Sequence, residues 1–176
     1  MTETSMQYPV GRFTAPETVT KALLDAAINE IAALPAAMRA AVQGLTAAQL
    51  ETPYRDGGWN VREVVHHVPD SHMHAYTRVK FALTEDSPTI RPYDEGAWTR
   101  LPDVATVPID VSLSLLDAIH TRWVACLRGL DEAQFKRVFV HPELGGQAIE
   151  MSVLRYAWHG RHHLAHITSQ RSRMGW

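Results

Sequence analysis

Apolar residues recur at intervals of three and four along four stretches of the chain, the period of a helix face turned toward a core. In the first stretch, Val19, Leu23, Ala26, Ala27, Ile31 and Leu34 form the stripe, with Asp25, Asn29 and Glu30 off it. Just upstream, Thr14-Ala-Pro-Glu17 has the form of a capping box: a hydroxyl for the orphan N–H groups, an early proline, and a Glu that reaches back. Pro35 is expected to stop or kink this helix, Ala36–Val42 to add a second piece, and Gly44 to end it in the left-handed conformation. A polar loop then leads to Gly57-Gly58-Trp59.

Asn60 and Glu63 form a second helix-start signal, and the helix is predicted to run to about Leu83 on a stripe of Val61, Val64, Val65, Val68, His72, Tyr76, Val79 and Leu83. Pro69 should bend it. Residues 84–110 contain Pro88, Pro92, Pro102, Pro108 and Gly96, and predict a long ordered loop of the kind that is often functional. A third helix spans roughly Val111 to Leu130, with Leu113, Leu116, His120, Trp123, Val124 and Leu127 on one face. Phe135 to Met151 alternates weakly around Pro142 and Gly145-Gly146 and reads as a short hairpin or plain loop. The last helix starts near Ser152 and reaches about Arg173, carrying Leu154, Trp158, Ala165 and Ile167. These segments predict one all-α domain over residues 1–176, an up-and-down four-helix bundle with a long proline-rich loop and a possible short hairpin before the last helix.

At 176 residues, 45% hydrophobic and 20% charged, the chain has the size of one domain. Seventeen Lys and Arg against nineteen Asp and Glu leave no basic surplus for nucleic acid or an anionic membrane surface. The single cysteine, Cys126, excludes an intramolecular disulfide framework and any Cys-rich zinc module; it has no evident base at helical spacing and is assigned a buried apolar role. No signal-peptide pattern or membrane-length apolar run occurs, so a cytoplasmic protein is expected. The sequence contains no GxSxG, phosphate-loop or GxGxxG motif.

Histidine is the informative residue: of ten, none precedes His66, and eight fall in His66–His74 and His159–His166. His159 and His163 are four apart on one helix and stand one above the other, the spacing of two ligands to one ion. In the second helix His67 is the better inward candidate, because His66 points with Arg62 and Asp70. Three neutral imidazoles, His67, His159 and His163, would leave a coordination position open, as catalytic zinc sites do. Such pairs also arise by chance, and an inward histidine is commonly a core residue bonded to a carbonyl or carboxylate. Gly160 favours close packing or access at the pair. His72, His74, His120 and His166 read as structural or supporting groups, and His141 has no assigned role. Arg91, Tyr93 and Asp94 could orient a polar substrate or belong to an ordinary solvated loop, and the five tryptophans read as packing residues.

The chain resembles the DinB superfamily, specifically its YfiT-type branch of metal-dependent hydrolases, which includes bacillithiol S-transferases. The resemblance covers essentially the whole chain and rests on Tyr8-Pro-Val-Gly-Arg-Phe13, Pro53-Tyr-Arg-Asp-Gly-Gly-Trp59, Val64-Val-His-His-Val68 with Asp70-Ser-His72, Leu83-Thr-Glu-Asp86, Pro88-Thr-Ile-Arg-Pro-Tyr93, His120-Thr-Arg-Trp-Val124, and Tyr156-Ala-Trp-His-Gly-Arg-His-His163 with Ala165-His-Ile167. It implies a four-helix bundle whose divalent metal, zinc or nickel, is held by His67, His159 and His163, and a homodimer. Pro69 stands where members more often have a small helix former. The implied activity is transfer of a low-molecular-weight thiol to an electrophile. Hydrolysis by a metal-bound water and non-catalytic binding of a metal or small ligand remain alternatives. A fourth protein ligand, such as His166 or Asp70, would point to a structural metal; Asp70, His74, His166, Arg91 and Tyr93 are the candidates for supporting the metal or orienting a small-molecule substrate.

Overall fold

In a computed structural model describing residues 6–176, the first long helix starts later than the Thr14 signal places it. Helix α1 spans Lys21–Val42, and the Thr20 hydroxyl accepts the Leu23 N–H at 3.2 Å. Tertiary contacts hold the preceding segment out of the helix: Phe13 packs against Trp158, the Trp158 indole donates to the Gly11 carbonyl at 3.1 Å, and Val19 seats on the core. The buried stripe is accordingly Leu24, Ala27, Ile28, Ile31 and Leu34, which leaves Leu23 and Ala26 exposed.

Pro35 neither stops nor divides α1. A proline ring has no N–H, so the carbonyl four residues back loses its helical donor. That carbonyl belongs to Ile31, and His120 Nδ1 from another helix bonds it at 2.5 Å. One interhelical bond thus stands in for the missing intrahelical one, and Pro35 itself is buried in the bundle.

Helix α2 is Val61–Thr84, with the Asn60 side chain accepting the Glu63 N–H and the Glu63 carboxylate accepting the Asn60 N–H, each at 2.8 Å. Pro69 sits buried within it without ending it. Helix α3 is Ile109–Arg128 and α4 is Ile149–Met174. The weakly alternating segment forms the hairpin: β1 (Val138–His141) pairs antiparallel with β2 (Gly145–Ala148), His141 opposite Gly145. The proline-rich connection contains one-turn helices at Glu95–Trp98 and Pro102–Thr106, and Ala47–Leu50 forms another between α1 and α2.

The all-α four-helix bundle holds, while its helix directions run up, down, down, up in place of simple alternation. Glu30 pairs with Arg161, and Arg171 donates to the Ala41 carbonyl, so α1 and α4 are parallel. His66 meets Ser112 and His72 meets His120, so α2 and α3 are parallel as well. Each of α1 and α2 packs on both α3 and α4, with α1 and α2 on one diagonal. Two successive parallel helices require a connection that travels the length of the bundle, and residues 85–108 supply it. That connection is pinned to the hairpin: Ile90 donates to Val140 and Val140 donates to Pro88, both at 2.9 Å.

The apolar core is divided into two halves. One gathers Leu24, Ile31, Val79, Trp123, Phe135 and Ile149; the other gathers Leu34, Met38, Val64, Val68, Leu116 and Ile167. Between them, on α2, α3 and α4, lies a seam of imidazoles: His67, His72, His120, His159 and His163. Burial drives His120 down from the ordinary 6.5 to about 4, against the smaller opposing effects of the Ile31 carbonyl and Asp117.

Two stability measurements follow from this architecture. Thr20→Ala should cost about 1 kcal/mol in denaturant unfolding, and Thr14→Ala less than about 0.5, since only the former removes a cap. Because His120 titrates lower folded than unfolded, the unfolded chain binds the extra proton between about pH 6.5 and 4. Stability should therefore fall as pH drops through that window, with about 3 kcal/mol of the fall due to His120. Denaturant titrations of metal-free protein across the window check this, and His120→Gln, which keeps a donor for Ile31, should show a shallower slope.

Candidate metal centre

The antiparallel course of α2 and α4 sets His67 opposite His159 and His163. Ring centroids are 5.4 Å apart for His67–His159, 4.7 Å for His67–His163 and 4.4 Å for His159–His163. One nitrogen from each ring lies within 4.8 Å of the other two. Trp59, immediately before the Asn60 cap, walls the group: its ring is 4.6 Å from that of His67 and lies nearly parallel to His163 at 6.0 Å. His66 turns away and shares a 2.7 Å hydrogen bond with the Ser112 hydroxyl.

A chain of hydrogen bonds fixes which nitrogen of His159 faces the triad. A carbonyl can only accept, so His120 Nδ1, at Ile31, carries a proton. In neutral His120, Nε2 is then an acceptor, and the ring nitrogen it meets at 2.9 Å, His72 Nδ1, must donate. His72 Nε2 accepts in turn from His159 Nδ1–H at 3.1 Å. What remains on His159 is the lone pair of Nε2. The premise of neutrality is met by burial, which holds His72 and His159 well below the ordinary histidine range, with neighbouring imidazoles lowering both further.

His67 Nε2 stands 3.4 Å from that lone pair, longer than a usual imidazole hydrogen bond. Two nitrogens bound at 2.0–2.1 Å to a tetrahedral zinc are separated by about 3.3 Å, so the spacing fits a shared cation. Burial, then the neighbouring His162 and His166, lowers His67 to about 4, and burial, then the neighbouring His159 and His67, depresses His163 well below its usual value. All three candidate ligands are therefore neutral donors at pH 7.

The triad opens into a cavity of about 640 Å³. Among the predicted supporting residues, Tyr93 and His166 line it. Burial foremost raises the Tyr93 phenol above its ordinary value and keeps it protonated, while His74 and Trp98 hold its ring at 4.4 and 4.7 Å. His166 Nε2 donates to the Gln7 carbonyl at 3.1 Å, and its ring stacks on Tyr54 at 4.0 Å. Asp70, His74 and Arg91 do not line the cavity. Asp70 lies toward Asp103, and burial, with that like charge, lifts it to about 6. His74 and Arg91 border an outer groove between α2 and the proline-rich connection. His141 stands at the cavity rim, and Cys126 is half-buried on α3.

Sequence reasoning missed Ser71, Arg55, Arg78, Tyr8 and Trp158 as cavity walls, because the five come from four separate parts of the chain that only the tertiary fold brings together. It also missed the role of Pro35, although a buried helical proline announces a free carbonyl four residues upstream.

Comparison with known proteins gives the chain's relatives. The sequence pattern of the DinB superfamily matches residues 30–167. A Bacillus mycoides (strain KBAB4) protein named "Putative metal-dependent hydrolase" is 50% identical over 171 residues, covering 97% of this chain and 98% of its own. The structure of YfiT from Bacillus subtilis, described as a probable metal-dependent hydrolase with an unusual four-helix bundle topology, superposes with a TM-score of 0.95 at 47% identity, over 98% of this chain and 99% of that one. TT2238, a four-helix bundle protein, shares the fold at a TM-score of 0.58 and 21% identity, over 80% of this chain and 94% of its own. A bundle with this seam of histidines, matched along its length by such relatives, belongs to the DinB superfamily.

Proposed function

We propose that this protein is a metal-dependent enzyme in which His67, His159 and His163 hold a divalent cation, zinc or nickel, and a small-molecule nucleophile occupies the position left open toward the cavity. The observation that carries this reading is the 3.4 Å approach of His67 Nε2 to the lone pair of His159 Nε2, within a group that opens on solvent-filled space. Among the described residues no fourth His, Cys, Asp or Glu joins the three, and Asp70 lies elsewhere, which favours an exchangeable position over a saturated structural metal. Three imidazoles suit zinc and nickel and disfavour magnesium or calcium.

A cation held there supplies Lewis acidity, lowering the pKa of a bound thiol or water. The chain's own groups do the rest. His72 holds His159 in the tautomer that presents Nε2. Tyr93 offers a protonated hydroxyl to a polar substrate group, and Ser71 lies beside it. Arg55 and Arg78 place positive charge on the walls, and Trp158, Tyr54 and Tyr8 supply aromatic surface against a substrate. We assign a low-molecular-weight thiol as the nucleophile, since a cavity of about 640 Å³ has room for two organic reactants where water would need only one. The names of the relatives favour hydrolysis as the second reading.

Protein purified without added metal should contain one divalent ion per chain by elemental mass spectrometry, and His163→Ala should lose it; full retention would end the triad reading. The metal-loaded protein should consume thiol when given an electrophile, and the metal-free protein should not. Metal-dependent cleavage of an activated ester with no thiol consumption would select the hydrolytic reading. His72→Phe leaves the His159 Nδ1–H without its acceptor and should weaken metal binding about 10–100-fold in competition with a chromogenic chelator, with the fold intact by circular dichroism.

A further inference from the structure

Helix α4 carries a second histidine pair at the spacing of the first. His162 and His166 are four apart, as His159 and His163 are, and the two pairs interleave three residues out of step. The rings of His162 and His166 meet edge to face with each other and with His163, at centroid separations of 4.3, 5.0 and 5.4 Å. One nitrogen from each of the three lies within 4.8 Å of the others. His162, His163 and His166 are only 8%, 7% and 4% exposed, yet Nδ1 of each is buried with no hydrogen-bond partner. For His166 the nature of that atom is fixed: Nε2–H donates to the Gln7 carbonyl, so Nδ1 of the neutral ring is a bare lone pair. A desolvated acceptor with no donor is unfavourable, and an unpartnered ring nitrogen on each of three neighbouring imidazoles is the kind of exception that calls for an occupant. His162 and His166 both line the cavity, so an ion arriving from solvent reaches them.

We propose that His162, His163 and His166 form a second site for a borderline-soft divalent cation, zinc above all, beside the His67–His159–His163 centre. Imidazole donors select such ions over magnesium and calcium. A neutral imidazole has one lone pair, so His163 serves one cation at a time, and the two sites compete for it. When the first centre is filled, the second holds its ion through His162, His166 and solvent, and binds more weakly. When the first is dismantled, the second has all three rings. The inference rests on the proposed first centre through this shared residue.

Equilibrium dialysis of the full chain against Zn²⁺, with metal counted per chain, tests it. The wild type should bind one tight equivalent and a second at least about tenfold more weakly. His166→Gln keeps an amide donor for the Gln7 carbonyl but removes the ring nitrogen, and His162→Phe keeps a ring against Trp158. Each should lose the second equivalent and keep the first, and the retained first equivalent reports an intact fold. His67→Ala should lose the tight equivalent and keep one that disappears when His166→Gln is added. Saturation of the wild type at one equivalent in excess zinc, or a second equivalent that persists in both His162→Phe and His166→Gln, would overturn the second site. A tight equivalent that survives in the doubly substituted His67→Ala/His166→Gln chain would instead overturn the first centre.

Discussion

The backbone carbonyl of Ile31 decides which nitrogen of a histidine two rings away can hold a cation. Pro35 strips that carbonyl of its helical donor, His120 replaces the donor, and the choice of tautomer passes through His72 to His159. Each step follows from the last because a neutral imidazole has one donor and one acceptor, His120 and His72 are buried, and the partly buried His159 is held well below the ordinary histidine range. Reversing the tautomers would aim an N–H of His159 at His67 and leave His120 with a lone pair facing a carbonyl. An unmade buried hydrogen bond costs about 1–3 kcal/mol, which biases the population by a factor of about 5 to 150 toward the ligating form. A proline that looks like a helix breaker in the sequence is thus the origin of the site's polarity.

The order of helix directions belongs to the same design. His72 and His120 meet because α2 and α3 run in parallel, and His67 meets His159 and His163 because α2 and α4 run antiparallel. The parallel pair demands the long connection 85–108, and that connection brings Pro92 and Tyr93 to the cavity. Its β-like bonding to Val140 anchors it on the hairpin that precedes α4. The loop therefore satisfies a topological need and also supplies one wall of the site. A simply alternating bundle could join α2 to α3 by a short turn and would leave this side of the cavity to solvent.

Helical periodicity and capping made most of the fold legible, and failed where tertiary contacts outweighed local signals. Asn60 and Glu63 form the capping box read from the sequence, and the α3 stripe from Leu113 to Leu127 is buried residue for residue. Thr14-Ala-Pro-Glu17 carried an equally good local signal. Phe13 and Trp158 hold that segment against the bundle, and no window of sequence contains both. Helix direction was not legible, because periodicity says which face is buried and nothing about which way the chain returns. The convergence of His67, His159 and His163 was legible because four-residue spacing has a fixed geometric meaning on a helix; that Asp70 and Arg91 stand off the cavity was not, because their nearest neighbours come from a connection with no period to read.

A seam of polar rings through a bundle is an odd place to spend buried volume, and the charge state of the rings explains how the fold tolerates it. An imidazolium in the interior would carry a large desolvation penalty, whereas a neutral ring that donates and accepts one hydrogen bond carries little. The apolar halves on either side, with Trp123 and Ile31 in one and Met38 and Leu116 in the other, take most of the ring surface out of water and so keep the rings neutral. Only unprotonated nitrogen binds a metal, and an exposed imidazole would begin to lose that capacity near pH 6.5. The packing that stabilises the bundle thereby sets the donor state of the site, so an apolar-to-polar change far from the cavity, if it admits water to the seam, alters the availability of His67, His159 and His163 without touching any of them.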